Sequence, residues 1–506
     1  MDFQRSSGVL LHPSSLPGPY GIGDLGPQAR RWVDFLVETG TGLWQMLPVG
    51  PTGYGDSPYQ CFSSFAGNPY LISPDLLFKE GLVHRNDLEN IPDFPKDSVN
   101  YGKVIYWKLD LLKRSYLQFQ NSHNITLQKE FNQFCKKHKD WLNTFASFMA
   151  IKEVHGGQPW TDWPAGLRDR DSSVLEKFQR ENDFAIQYQK YLQFLFYRQW
   201  NQLRIYAMNK GIKIIGDIPI FIAHDSADTW ANRELLHLDN SGHPTVVAGV
   251  PPDYFSRTGQ LWGNPLYRWE NHTKSGYKWW IDRLYATNSL FDVIRLDHFR
   301  GFSGYWEIPA GEDTAENGRW AAGPGAGFFH KVIEIMGELP IIAEDLGEIT
   351  PDVIDLRDEF DFPGMKILVF AFDSGESNEF LPHHYPQNCV VYTGTHDNDT
   401  AVGWFNRIDV GEKSFAQRYL KTSGEDIAWD LIKTAWSSRA VYAIAPLQDL
   451  LNLDNTARMN YPGNPQGNWS WRFCDGDLNS KLRGKLTEVN YLYGRSTKEH
   501  LTTENK

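Results

Sequence analysis

Three apolar runs of the chain end in acid. Val293-Ile294-Arg295-Leu296 leads into Asp297-His298-Phe299, Ile341-Ile342-Ala343 into Glu344-Asp345, and Val390-Val391-Tyr392-Thr393-Gly394-Thr395 into His396-Asp397-Asn398-Asp399. Two carboxyl groups flanking a sugar linkage can cleave it with retention. One attacks the anomeric carbon, while the other protonates the departing oxygen and then deprotonates the incoming hydroxyl. Asp297, Glu344 and Asp397 could supply that pair and a third carboxylate that hydrogen-bonds ring hydroxyls as the sugar flattens. One acid at a strand end is equally well a cap or turn former. Three in succession are what a barrel enzyme carries, because its catalytic groups sit at the carboxyl ends of successive parallel strands.

The spacing agrees. The separations 344 − 297 = 47 and 397 − 344 = 53 residues each hold one or two strand–helix units of ~30 residues, so the side chains can converge on one rim. Arg295 stands two positions before Asp297 and faces the same side of an alternating strand. A guanidinium there either keeps the aspartate ionised or belongs to a structural ion pair inside the barrel. His298 and His396 read as sugar-hydroxyl partners or as satisfied core histidines.

The elements needed to position these groups can be counted. Short apolar runs centred near residues 9, 45, 214, 294, 342, 367, 391 and 443 make eight strands, the number a closed parallel barrel requires. The expected fold is therefore α/β, a (β/α)8 TIM barrel formed by residues 1–506 as a single domain. A mainly helical insertion occupies about 70–205, with its clearest helix over Glu181 to Ile205. The region of about 245–270, with Pro251-Pro252-Asp253-Tyr254-Phe255 and Gly259-Gln260-Leu261-Trp262-Gly263-Asn264, reads as a functional loop too irregular for a core element.

Composition excludes several classes. With 506 residues, 41% hydrophobic and 22% charged, the chain can bury a large core, and its net charge of −12 is wrong for a nucleic-acid partner. Aromatic residues at 14%, with 19 Trp, suit the C–H faces of sugars as well as a core. Cys61, Cys135, Cys389 and Cys474 form no CxxC pair, so neither a zinc site nor a disulfide framework is expected. The amino terminus lacks the apolar core of a secretory signal and no apolar run reaches membrane-spanning length, which places the expected compartment in the cytoplasm. The Asn-x-Ser/Thr triplets at Asn124, Asn271, Asn398 and Asn468 are then accidental.

Three motifs carry no chemistry. Gly21-Ile22-Gly23-Asp24-Leu25-Gly26 fits a dinucleotide fingerprint but does not directly follow a strand and lacks the acidic ribose partner downstream. Gly323-Pro324-Gly325-Ala326-Gly327 lacks the Gly-Lys-Ser/Thr of a phosphate loop and reads as a turn opening a helix at Phe328. His383-His384 has no acid at metal-ligand spacing and reads as a solvated loop.

The runs Val293 to Phe302, Ile342-Ala343-Glu344-Asp345-Leu346-Gly347 and Tyr392 to Thr400 resemble the three signature segments of the amylomaltase family. These are the 4-α-glucanotransferases, or disproportionating enzymes, of the α-amylase superfamily. The resemblance continues at His12 to Pro17, Tyr20 to Gly26, Ser57-Pro58-Tyr59, Gly216 to Ile220, Pro251 to Ser256, Met459-Asn460-Tyr461-Pro462-Gly463 and Asn468 to Arg472, so it covers nearly the whole chain. It implies Asp297 as nucleophile, Glu344 as general acid/base and Asp397 as transition-state stabiliser. It further implies Tyr59, Asp217, Arg295, His298 and His396 around the reacting glucose, and a mobile loop with Asp253, Gln260 and Trp262 over the donor chain. Tyr54 and Tyr101 would form a second glucan-binding patch outside the cleft, with Asn100 standing where the family often has aspartate.

The family lacks a separate carboxyl-terminal β-domain and needs no metal or organic cofactor. Maltooligosaccharides, starch or glycogen-type glucans are the expected partners, without nucleic acid or membrane, and the oligomeric state stays open between monomer and weak homodimer. A plain α-1,4-glucan hydrolase is the nearer alternative, and a non-catalytic glucan-binding protein the further one.

Overall fold

A computed structural model describes residues 3–252, 256–464 and 466–497. Eight strands form one parallel sheet in the order Gly364–Ile367, Cys389–Tyr392, Tyr442–Pro446, Ser6–Leu10, Leu43–Gln45, Lys213–Pro219, Val293–Asp297 and Ile341–Ala343. Each expected strand is present. The sheet curls round on itself: the Ala343 N–H donates to the Pro363 carbonyl at 3.0 Å and joins the last strand of that order to the first. These strands are buried on both faces, which is why they read as short unbroken apolar runs and not as alternating ones. At Gly216 a Cβ would meet the Phe291 ring at 2.1 Å, so only glycine lets the strand that carries Asp217 pack so closely on its neighbour.

Helices wrap the barrel. Pro27–Thr39 starts with proline in its first turn, ends on Gly40 in the left-handed region (φ 71°), and buries Ala29, Trp32, Val33, Phe35 and Leu36 against the sheet. After the last barrel strand the chain returns as Ser480–Leu492, whose Asn490 amide donates to the Thr39 carbonyl at 2.8 Å and ties the two ends of the described chain together. Between Leu43–Gln45 and Lys213–Pro219 the chain is mainly helical. Tyr101–Asn121, Ile125–Lys137 and Lys139–Val154 precede Asp183–Asn209, a 27-residue helix that delivers the chain back to the barrel. Its Trp200 indole donates to the Leu290 carbonyl at 3.1 Å, fixing the helix to the segment leading into Val293–Asp297. Among the described residues, no helix is long and apolar enough to cross a membrane.

The structure departs from the sequence reading over residues 247–267. Val246–Val250 and Gln260–Pro265 are strands of a four-stranded antiparallel sheet, in the order Gln260–Pro265, Val246–Val250, Gly304–Pro309 and Arg319–Ala322. The β-branched run Val246-Val247 was hidden by the Pro251-Pro252 that follows it. The partner that stabilises it, Gly304–Pro309, lies more than fifty residues downstream, beyond the reach of a local reading.

Candidate active site

Backbone register alone brings the first two acids together. In the pairing of Val293–Asp297 with Ile341–Ala343, Arg295 stands opposite Ile342 and Leu296 opposite Ala343, so one further step sets Asp297 beside Glu344. The ladder continues that far, since the Glu344 N–H donates to the Leu296 carbonyl and the Phe299 N–H to the Glu344 carbonyl, both at 3.0 Å. Adjacent strands run about 4.8 Å apart, within reach for two carboxylates on one sugar linkage. On the other side Asp217 is opposite Arg295. Alternation turns Asp217, Arg295, Asp297 and Glu344 toward the same interior.

The Arg295 guanidinium is the cation of this cluster. Its Nη1 lies 2.7 Å from Asp217 Oδ2 and 2.9 Å from Asp297 Oδ1, with Arg295 and Asp217 side chains only 5% and 1% exposed. Both sequence readings of Arg295 therefore hold at once, a buried ion pair with Asp217 and a guanidinium on Asp297. Tyr59 donates its hydroxyl to Asp217 Oδ2 at 2.8 Å. His298 adopts left-handed backbone angles (φ 52°, ψ 50°), a rare conformation for a residue with a side chain, and this turn aims its N–H at Glu344 Oε2, 2.6 Å away.

Burial governs the ionisation of the cluster. It lifts Asp297, against the pull of Arg295 and with the help of the carboxylates of Asp217, Glu344 and Asp397. It pushes Glu344 up to about 7, against Arg295 and the His298 N–H. Burial thus raises both carboxyls, and of the two it is Asp297 that has the Arg295 guanidinium in contact, while Glu344 accepts the His298 N–H. Burial also drives His298 down to about 3, lowers His396 and raises Tyr59, so all three are neutral at pH 7.

Asp397 arrives differently. It stands in a turn beyond Cys389–Tyr392, with its side chain 48% exposed and its Oδ1 3.3 Å from His396 Nε2. Asn460 Nδ2 donates to the same oxygen at 2.6 Å, and Arg458 Nη2 donates to the Asp397 backbone carbonyl at 2.6 Å. The His396 ring stacks on Tyr59 with centroids 5.1 Å apart and planes 13° from parallel. Tyr59 thus links the two halves of the site, its hydroxyl on Asp217 and its face on His396.

Two buried polar atoms of the cluster, Asp217 Oδ1 and His298 Nε2, have no hydrogen-bond partner among the described residues. A polyhydroxylated ligand would satisfy one as an acceptor and the other as donor or acceptor according to tautomer. Trp262 packs edge-on to His298, centroids 4.8 Å apart, and its indole donates to Gln260 Oε1 at 3.2 Å, so both residues reach the rim from the antiparallel sheet.

The structure gathers Tyr59, Asp217, Arg295, Asp297, His298, Glu344, His396 and Asp397 into one constellation, flanked by Gln260 and Trp262. Tyr54 is not among them; it projects from the turn Tyr54–Asp56, 81% exposed. Tyr101 opens the helix Tyr101–Asn121, whose cap is the Asn100 side chain, and donates its hydroxyl to the Trp469 carbonyl at 2.9 Å. Asp253 lies outside the described residues. Sequence reasoning gave no role to Arg458, Asn460 or Trp469. It also missed the Tyr392 hydroxyl, which donates to Gln45 Oε1 at 2.8 Å inside the barrel. The available signal was the run Met459 to Gly463, which resembled the family without showing what its asparagine touches.

A family model described as 4-alpha-glucanotransferase matches residues 11–477. The 4-alpha-glucanotransferase of Thermus thermophilus is 50% identical over 494 residues, covering 96% of this chain and 98% of that protein. The Synechocystis sp. 4-alpha-glucanotransferase is 49% identical over 496 residues, covering 97% and 98%. Among solved structures, an amylomaltase from Streptococcus agalactiae in complex with acarbose superposes with a TM-score of 0.95 at 39% identity, covering 97% of this chain and all of that one. With the family's pattern running from residue 11 to 477 over a barrel that carries its three acids on one rim, the chain belongs to the 4-alpha-glucanotransferase family.

Proposed function

We propose that the chain transfers α-1,4-glucan segments from a donor chain to the 4-hydroxyl of an acceptor glucan or glucose, with retention, by double displacement. The observation that carries this reading is the unlike setting of two adjacent carboxyl groups. Asp297 is in contact with a guanidinium, and Glu344 is lifted by burial to about 7. One is suited to attack, the other to give and take a proton.

In the first step Glu344 protonates the glycosidic oxygen as an Asp297 carboxylate oxygen bonds to the anomeric carbon and the bond to the leaving chain breaks. In the second, Glu344, now a carboxylate, takes the proton of the acceptor hydroxyl, whose oxygen displaces Asp297 from the same carbon. Two inversions give retention. Arg295 stabilises Asp297 as it leaves, and Asp397 holds ring hydroxyls in the flattened transition state. Asp217 Oδ1 and His298 Nε2 are the natural partners of the remaining hydroxyls, and Trp262 offers an apolar face. A relative solved with acarbose supports a maltooligosaccharide-type ligand for this cleft.

Incubation with maltotriose tests the reading. Transfer yields glucose together with a ladder of chains longer than three units. Shortened products without elongation would mean that water, not a glucan hydroxyl, is the acceptor.

A further inference from the structure

Asp397 differs from the other two acids in how it is held. It lies five residues beyond Tyr392, outside the strand ladder, and its carboxylate Oδ1 accepts a hydrogen bond from Asn460 Nδ2 at 2.6 Å and lies 3.3 Å from His396 Nε2. Asn460 comes from a segment 63 residues downstream that is itself anchored. Arg458 Nε donates to the Asn460 carbonyl at 2.7 Å, the Arg458 guanidinium lies 4.5 Å from the Tyr461 ring centroid, and the Trp469 N–H donates to the buried Met459 at 2.8 Å. The division of labour is specific. The cation grips the Asp397 backbone carbonyl and the neutral amide grips the carboxylate. A guanidinium on the carboxylate would have offset the negative charge needed beside an oxocarbenium-like sugar, whereas an amide fixes the oxygen and leaves the charge in place.

We propose that Asn460 is a positioning residue for glucan transfer: its amide locks Asp397 Oδ1 so that Oδ2 faces the reacting sugar, and Arg458 fixes the backbone on which both act. This rests on the reading of Asp397 as the transition-state stabiliser, and the experiment separates the two. Asn460→Ala, Asn460→Asp, Asp397→Asn and the double variant Asp397→Asn/Asn460→Ala are assayed with maltotriose for kcat, KM and pH profile, alongside thermal midpoints.

Asn460→Ala should lower kcat about a hundredfold, the scale of an ångström-size misplacement, with KM changed less than about threefold. Asn460→Asp sets two carboxylates against each other, and they can bond only by sharing a proton. Its activity relative to the parent should therefore climb as pH falls toward about 5, a signature that mere loosening of the fold does not produce. The double variant should be no worse than Asp397→Asn alone. An Asn460→Ala enzyme with kcat within about threefold of the parent, beside an inactive Asp397→Asn, overturns the role of Asn460 and leaves that of Asp397 standing. An Asn460→Asp profile parallel to the parent's overturns the role of Asn460 as well. An active Asp397→Asn overturns the assignment of Asp397 and this inference with it.

Discussion

Asp297 and Glu344 are placed before any side chain forms a bond. They follow directly in the register of two hydrogen-bonded strands, and alternation turns them inward. Asp397, five residues past its strand, has its position from side chains, His396 next to it and Asn460 and Arg458 from a distant segment. The two modes have different consequences. Acids on a ladder sit half-buried against buried neighbours such as Asp217 and Arg295, so environment dominates their ionisation and geometry survives the loss of a charge. An acid on a tethered turn keeps half its exposure, and its geometry is only as firm as its tethers.

The sharpest way to break this contrast is Asp297→Asn. If the ladder sets geometry, the variant should lose transfer by about 10⁴-fold or more while maltotriose binding stays measurable. Transfer surviving at a few per cent of the parent would remove Asp297 from the reaction. Next in size is Arg295→Met, which leaves Asp217 and Asp297 without their guanidinium. Stranding buried carboxylates should destabilise the fold by roughly 3–5 kcal/mol, seen in denaturant titration. With Arg295 gone, Asp297 rises further above its ordinary value, so the acid limb of the pH–rate profile should move to higher pH. An unmoved limb would mean that Arg295 serves packing alone.

The same contrast explains what could be read from the sequence. The eight barrel strands were legible because strands buried on both faces must be apolar throughout. Asp297 and Glu344 were legible because each ends such a run. The neighbours of Asp397 were not. Nothing in Arg458-Met459-Asn460 says that it folds back onto residue 397, and a tether across 63 residues leaves no periodicity. The antiparallel sheet failed for the same reason, since Val246–Val250 is recognisable as a strand only beside Gly304–Pro309. The histidines needed coordinates too. His298 has a ring nitrogen without a hydrogen-bond partner among the described residues and His396 stacks flat on Tyr59, two environments that a single letter cannot distinguish.

A smaller effect sharpens the electrostatic half of the comparison. Glu344 holds its proton up to about 7 in the folded chain and far less tightly when unfolded. A raised carboxyl stabilises the fold fully below the ordinary carboxylate range and loses that contribution as pH climbs through the folded value. Above it, the buried charge is a burden. Glu344→Gln should therefore abolish transfer yet raise stability at pH 8 by about 1–3 kcal/mol, with no gain at pH 4. Thermal midpoints at the two pH values decide it, and an equal shift at both would trace the change to packing. In the parent, transfer should fall on the alkaline side as Glu344 deprotonates, from about pH 7 upward.

The smallest expected effect lies where neither ladder nor tether operates. Tyr54 stands on a short turn, 81% exposed, while Tyr101 is hydrogen-bonded to the Trp469 carbonyl and its ionisation, raised chiefly by burial, also feels the carboxylate of Asp56 from that same turn. A ring so exposed adds nothing to the constellation around Asp297, so Tyr54→Ala should leave stability within about 0.5 kcal/mol and maltotriose turnover within about twofold. Its ring remains free to lie against a long glucan, and there the same substitution should weaken binding by about three- to tenfold, in step with one lost ring contact. Comparing turnover of maltotriose with retention on an immobilised long-chain glucan separates these effects. A tenfold fall in maltotriose turnover would draw the turn Tyr54–Asp56 into the reacting site, and the contrast between ladder-held and tether-held acids would then omit a contributor.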